Sequence, residues 1–369
     1  MFHVMDVADA LIDYMKTKYP DEIAVAAYYG SYAQGSATAR SDLDFFFIPA
    51  TSEGYRASLQ FIVNDISFDF WPISWERAER MAAFEEQQTA IISDCKLLYV
   101  RSDEDYERFM KLRERVSDIR NPKHGKHFTE RAETLISDAA VHVYEMSKPD
   151  RMDDLACIRL EAHGVMTTIL QSLALLNQTY YTKGWGKNEE QISALPLKPK
   201  RLELLTRTIM VEQSAAAIRQ ACMELMSETI AIVLKQKASY AEAPSYPDRM
   251  KGFYEEVKGV LDKVKTACEM NDYPSAYYWA IGVQDEIARF LFFAEKGLWP
   301  SRLNRQEQEL YLSHGFPNLT ALLDARDLEP LFAAVEELDR KLEGHLLQRE
   351  VTINRFATLE QFQAFLKEA

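Results

Sequence analysis

Two short runs early in the chain carry the residue types that phosphate chemistry needs: Gly30-Ser31-Tyr32-Ala33-Gln34-Gly35 and, soon after, Ser41-Asp42-Leu43-Asp44-Phe45-Phe46-Phe47-Ile48. Residues i and i+2 of a strand share a face, so Asp42 and Asp44 are expected to point the same way while Leu43 points into the core. Their Cα atoms then lie about 6.5 to 7 Å apart, a spacing at which two carboxylates jointly ligate a pair of Mg²⁺ ions about 3.5–4 Å from each other. Magnesium takes oxygen ligands and completes its shell with water and substrate phosphates. A third carboxylate stands in Ser67-Phe68-Asp69-Phe70-Trp71, where period two places Ser67, Asp69 and Trp71 opposite Ile66, Phe68 and Phe70. An aspartate in so apolar a strand is costly unless it meets a metal or a proton donor. Asp69 is therefore expected to bind the catalytic metal, to take the proton of an acceptor hydroxyl, or both. Gly30 lets the backbone approach the β and γ phosphates, and the Ser31 hydroxyl with the N–H groups after it can donate to them.

These groups need elements to hold them. Apolar residues at Met5, Val7, Ala8, Leu11, Ile12 and Met15 keep helical spacing up to Pro20. Ile23–Tyr29 reads as a buried strand, Asp42–Ile48 as a second, and 61–73 contains a third. Trp75–Phe84 looks helical, Lys96–Val100 is one more short strand, and Asp103–Val116 returns to helix. Beyond Asn121-Pro122 helical periodicity takes over. Leu155, Ile158, Ala162, Val165, Met166, Ile169, Leu173 and Leu176 mark a central bundle helix over Leu155–Asn177. Ala243-Pro244-Ser245-Tyr246-Pro247 is the linker candidate. The expected organisation is 1–118 as a catalytic domain, 119–242 as an acceptor-binding helical domain, and 249–369 as a second helical unit.

The Gly30-Ser31 turn, Asp42-Leu43-Asp44 about ten residues on, and Asp69 on a later strand together resemble the DNA polymerase β-like nucleotidyltransferase superfamily. Within it the chain is most similar to the bacterial branch of aminoglycoside and lincosamide nucleotidyltransferases, antibiotic-resistance enzymes in which a minimal catalytic domain precedes a helical one. The motifs cover residues 23–73; for the rest the resemblance lies in helical character and order. It implies an α+β fold, with a small mixed sheet flanked by helices and then an all-α region. It also implies transfer of a nucleoside monophosphate from ATP or another nucleoside triphosphate, with two Mg²⁺ ions, to a hydroxyl of a small molecule, releasing pyrophosphate. Asp42, Asp44 and Asp69 would be the metal ligands and catalytic residues, and Gly30 and Ser31 the nucleotide-binding ones. Gln34 departs from the pattern, since many relatives carry arginine there. Relatives also draw a general base or acceptor-binding acid from the helical domain, which makes Glu161 a candidate beside Asp69. Two further readings stay open: a protein-adenylylating enzyme of the toxin–antitoxin type, and a degenerate nucleotide-binding module without turnover.

Other motifs fail on chemistry. Gly30-x-x-x-x-Gly35 is followed by Ser36-Ala37, not by the Lys-Ser/Thr of a phosphate loop. An EF-hand starting at Asp42 would need glycine where Phe47 stands. His124-Gly125-Lys126-His127 reads as a polar loop, Tyr180–Lys187 as an interhelical turn able to fold over a nucleotide, and Tyr273, Tyr277, Tyr278 and Trp279 as core. The four cysteines form no C-x-x-C pair and are expected to be reduced. The formal net charge of −14 disfavours a long nucleic acid and favours a neutral or cationic acceptor. With no apolar run near 20 residues and no secretory leader at the N-terminus, the expected setting is cytoplasmic, away from the membrane.

Overall fold

The computed structural model describes residues 4–38, 41–242 and 245–368. Two compact units divide the chain, 1–235 and 236–369. In the first, helix α1 (Val4–Lys18) precedes β1 (Ile23–Tyr29), a one-turn helix α2 (Gly30–Ala33), β2 (Asp44–Pro49), β3 (Leu59–Val63) and β4 (Ile66–Pro72). Then come α3 (Trp75–Ala82), α4 (Thr89–Ser93), β5 (Lys96–Val100) and α5 (Asp103–Ile119). The five strands lie in the order β3-β4-β2-β1-β5; β2 and β4 are parallel and every other pair is antiparallel. This small mixed sheet followed by helices is the expected α+β layout.

Two differences from the expected strands matter. Asp42 lies ahead of β2, which begins at Asp44, so the two aspartates do not share a regular strand. The segment read as one strand is a hairpin: Asn64 and Asp65 both take positive φ (51° and 61°) and turn β3 back onto β4. Paired left-handed residues form the tight turn whose twist suits two strands, and Asn and Asp tolerate that region best after glycine.

The sheet is covered on both faces. Phe45, Phe47, Phe68 and Phe70 pack with Val7, Ala8, Leu11 and Met15 of α1. On the other face Ala24, Phe46 and Ile48 meet Met81 of α3, Ile92 of α4, and Phe109 and Leu112 of α5. Phe128 and Tyr180, from the helices that follow, belong to this second core, so sheet and bundle share one interior. Those helices are α6 (Gly125–Ser147), α7 (Leu155–Leu176), α8 (Glu189–Ser193), α9 (Leu202–Val211) and α10 (Ala215–Ala238). Helices α6 and α7 run side by side, with the Ser172 hydroxyl donating to the Ala132 carbonyl at 2.9 Å. Asp154 caps α7 by accepting from the N–H groups of Ala156 and Cys157.

The second unit has its own core. Helices α11 (Tyr246–Arg249), α12 (Phe253–Glu269), α13 (Tyr273–Lys296), α14 (Gln306–Ser313) and α15 (Glu329–Gln348) enclose Val257, Leu261, Ile287, Leu291, Tyr311 and Leu338. A terminal helix, α16, spans Leu359–Glu368. In the linker candidate, Ala243 and Pro244 lie outside the described residues, while Ser245 caps α11. The aromatics read as core are partly outside it: Tyr277, Tyr278 and Trp279 are 40%, 75% and 41% exposed. Lys263 covers the Trp279 ring at 4.5 Å, which accounts for one of them. All four cysteines are free, with Cys95 and Cys222 buried. Among the described residues no helix is long and apolar enough to cross a membrane.

Candidate active site

The site begins at the end of β1 and the start of β2. Tyr29, the last residue of β1, pairs with Asp44, the first of β2, in antiparallel register. Parallel pairing of Phe45 with Phe70 and Phe46 with Trp71 sets Asp69 beside Asp44 on the neighbouring strand. Alternation then does what the sequence pattern predicts for β4: Phe68 and Phe70 are buried while Ser67 and Asp69 are exposed. Because Asp69 faces outward, the expected cost of burying it does not arise. Its Oδ1 accepts from Gln60 Nε2 at 2.7 Å, across the β3–β4 pair.

The charges of Asp42, Asp44 and Asp69 act on one another. Burial first, and then the charges of Asp42 and Asp69, push the Asp44 carboxyl up to about 6. Among the described residues no basic side chain pairs with Asp42, Asp44 or Asp69. The three carboxylates do not offer one oxygen each within 4.8 Å of the others. A site in which all three grip a single ion is therefore not preformed.

Gly30 has φ +73°, and a Cβ there would stand 2.1 Å from Asp44 Oδ2. No side chain fits between this turn and the carboxylate, so the glycine is required for backbone and acid to meet. Ser31 is the second residue of the single helical turn α2, whose end is closed by Gln34 N–H donating to the Gly30 carbonyl at 3.2 Å. An all-oxygen donor set and the close approach of backbone at Gly30 are features that a divalent cation site would need.

Two groups near the carboxylates, Tyr29 and Trp71, have no motif to announce them, and a third, Gln34, lies in the glycine turn. Tyr29 is raised to about 12, first by burial and then by the neighbouring Asp44, so it keeps its proton. Trp71 Nε1 donates to the Tyr29 hydroxyl at 3.2 Å. The Gln34 side chain donates to the Thr182 carbonyl, tying the glycine turn to the loop between α7 and α8. That loop is well braced. Asn188 Nδ2 donates to the carbonyls of Lys183 (2.7 Å) and Gly184 (3.1 Å), and Tyr180 shares hydrogen bonds with Ser93 (2.6 Å) and Asp94 (3.0 Å).

The loop also walls a cavity of about 790 Å³, together with the segment after α3 and helices α6 and α7. None of the three aspartates lines it. Phe84, Tyr180, Tyr181 and Trp185 supply its apolar surface, and Glu85, Asp138 and Lys183 are its exposed charges. Glu86, also in the wall, is already paired with Arg77 (2.9 Å) and Arg80 (3.2 Å). Arg77 in turn lies over the Trp71 ring at 5.2 Å, so a short chain of contacts joins the cavity wall to the aspartates.

Glu161 is engaged elsewhere. Its Oε2 meets His142 Nδ1 at 2.7 Å between α7 and α6, a turn of α6 beyond Asp138. Gly164 makes room for that imidazole, since a Cβ there would stand 2.4 Å from the ring. The segment read as a polar loop is helical instead: His124 ends a short 3-10 turn and contacts Asp118 at 3.2 Å, and His127 lies in the first turn of α6 with its ring near Phe128.

Residues 106–239 match the KNTase C-terminal domain family, a nucleotidyltransferase family. No curated protein is matched by the chain. Among solved structures, a nucleotidyltransferase-like protein from Exiguobacterium sibiricum is similar over 64% of this chain and 78% of its own, at 12% identity and a TM-score of 0.38. The family match supports the general nucleotidyltransferase class.

Proposed function

We propose that the chain transfers a nucleoside monophosphate, AMP from ATP, to a hydroxyl of a small molecule. The observation that carries this reading is the half-buried Asp44 carboxyl, raised by burial and by the charges of Asp42 and Asp69, with the Gly30 backbone pressed against it at the end of the sheet. Such a cluster is stable at neutral pH when cations and phosphates complete it. Divalent cations, when bound, would neutralise charge on the phosphates in the manner of phosphoryl-transfer sites generally.

The protein's own residues have distinct tasks. Asp42 and Asp44 would hold the cations, with Asp69 completing the set. Gly30 and Ser31 would admit and bind the departing pyrophosphate through backbone and hydroxyl donors. The acceptor oxygen forms a bond to the α-phosphorus as the bond from that phosphorus to the bridging oxygen breaks. Asp69, steadied by Gln60, would take the acceptor's proton, and the pyrophosphate leaves with the electron pair. Catalysis rests on positioning and on electrostatics.

The cavity walled by the 180–188 loop is our candidate for the acceptor. Its volume lies within the range of about 300–1,000 Å³ common for small-molecule sites. The exposed carboxylates of Glu85 and Asp138, set among aromatic rings, suit an amine-bearing ring compound such as an aminoglycoside-like antibiotic. The purified chain, given labelled ATP, Mg²⁺ and an acceptor panel, is expected to release pyrophosphate, and Asp44→Asn to stop the release. Full activity in that variant would refute the proposal. Nucleotide binding without release, whatever the acceptor, would identify a binding module instead.

A further inference from the structure

The second unit holds a cluster that nucleotidyl transfer does not use. Glu295 near the end of α13, His314 just past α14 and His345 in the last turn of α15 offer one donor atom each, all within 4.8 Å of one another. Among the described residues no other three His, Cys, Asp or Glu side chains are gathered so closely. We propose that Glu295, His314 and His345 bind a single divalent transition ion, with Zn²⁺ the best match to two imidazoles and one carboxylate.

The geometry favours a shared ligand over a simple ion pair. In a tetrahedral site with bonds of about 2.0–2.1 Å, neighbouring donor atoms lie roughly 3.3 Å apart. His314 Nε2 and Glu295 Oε1 are already 2.9 Å apart, and the two imidazole centroids 4.8 Å apart at 61°. Yet His314 Nε2, though buried, makes no hydrogen bond, because its contact with the carboxylate is off the line that an N–H bond would take. The nitrogen vertex points past Oε1, as it would if both atoms addressed a third.

The surroundings are those of a metal site too. Phe316 packs against both imidazoles, at 5.9 and 5.7 Å, and shields them from water. The Tyr246 hydroxyl lies 3.0 Å from His345 Nε2, the outer hydrogen bond that fixes a ligand ring and its tautomer. Arg349 is the competitor: it meets Glu295 Oε1 at 3.3 Å, but its side chain is 45% exposed and can swing into solvent. Three protein ligands would leave a fourth position open to water or to another donor.

Zn²⁺ titration of the metal-free, full-length chain against a chromogenic chelator tests this directly. Every arm carries Asp44→Asn, so that the strand aspartates contribute least. One equivalent is expected to bind, at least tenfold more weakly in His314→Ala and in His345→Ala and not at all in the double variant. Co²⁺ is expected to give the visible absorption of a four- or five-coordinate ion in the unsubstituted cluster alone. Arg349→Gln removes the rival cation without touching a ligand, and is expected to tighten Zn²⁺ binding. The proposal is overturned if the unsubstituted cluster binds no Zn²⁺ equivalent, or if a folded double variant keeps it. Absence of tightening in Arg349→Gln removes Glu295 from the ligand set.

Discussion

Asp44 is the residue on which most of the site's electrostatics turns, and its behaviour with pH separates a cation site from an ordinary surface acid. Its carboxyl sits at about 6 in the folded chain against 3.8 for a free side chain, so the folded state holds a proton that the unfolded state has released between those values. Without cations, stability therefore falls as pH rises from about 4 to about 6 and stays at the lower level above that. The group is partly exposed, so solvent screening reduces the effect to about 1 kcal/mol. Asp44→Asn is accordingly expected to raise the melting temperature of the cation-free protein at pH 7.5 and to leave it unchanged at pH 4, while ending pyrophosphate release. Mg²⁺ should reverse the order, stabilising only the parent chain, and lose its effect as pH drops below 6. Equal melting curves for the two proteins at pH 7.5 without Mg²⁺ would show that the charge cluster is not strained. Gly30→Ala forces a Cβ into the space that Asp44 Oδ2 occupies, at a φ that costs an L residue about 1–2 kcal/mol. At least tenfold loss of turnover is expected, with a lower melting temperature; turnover within twofold of the parent would separate the turn from the chemistry.

At the scale of elements, the strands carrying Asp44 and Asp69 were legible because β2 and β4 alternate or fill with aromatic residues, and period two places every side chain once a strand is recognised. The hairpin was not, because its turn uses Asn64-Asp65 with no glycine, and the exposed residues of β3 give no alternation to find. Asp42 was assigned to β2 because strand ends carry no local signal of their own. Tyr29, Trp71 and Gln60 were missed for another reason: each reaches the carboxylates through cross-strand register, which only the folded sheet reveals. Gln34 is the sharpest case. In the sequence it stood out only as a departure from the arginine that many relatives carry, whereas its side chain fastens the glycine turn to the 180–188 loop. Removing that tie in Gln34→Ala is expected to cost about 1 kcal/mol of stability. Because the loop also walls the cavity, KM for the acceptor should rise several-fold with kcat changed less. A fall in kcat alone would place Gln34 at the phosphates instead. Gly164→Ala probes the bundle in the same spirit: its methyl would displace the His142 ring from Glu161, with an expected loss of roughly 1–3 kcal/mol.

At the scale of the whole molecule, each unit has a core of its own among the described residues, and each holds one of the two candidate cation sites described above. The sheet cores draw on residues from Val7 to Tyr180, and the second core runs from Tyr246 to Val351, with no residue in common. The aspartates and the cavity belong to the first unit, and Glu295, His314 and His345 to the second. A ligand stabilises the folding unit that binds it by RT ln(1 + [L]/Kd), about 2.7 kcal/mol at a hundredfold excess over Kd. Calorimetry of the full chain is therefore expected to show two heat-absorption transitions. Mg²⁺ with a non-hydrolysable ATP analogue should raise only the one that Asp44→Asn also moves, and Zn²⁺ only the one sensitive to His314→Ala. A single transition that both ligands shift by the same amount would mean that the units unfold together. Assignment of each ligand to its unit would then rest on the variants alone, each of which should still abolish the shift from one ligand and spare the other.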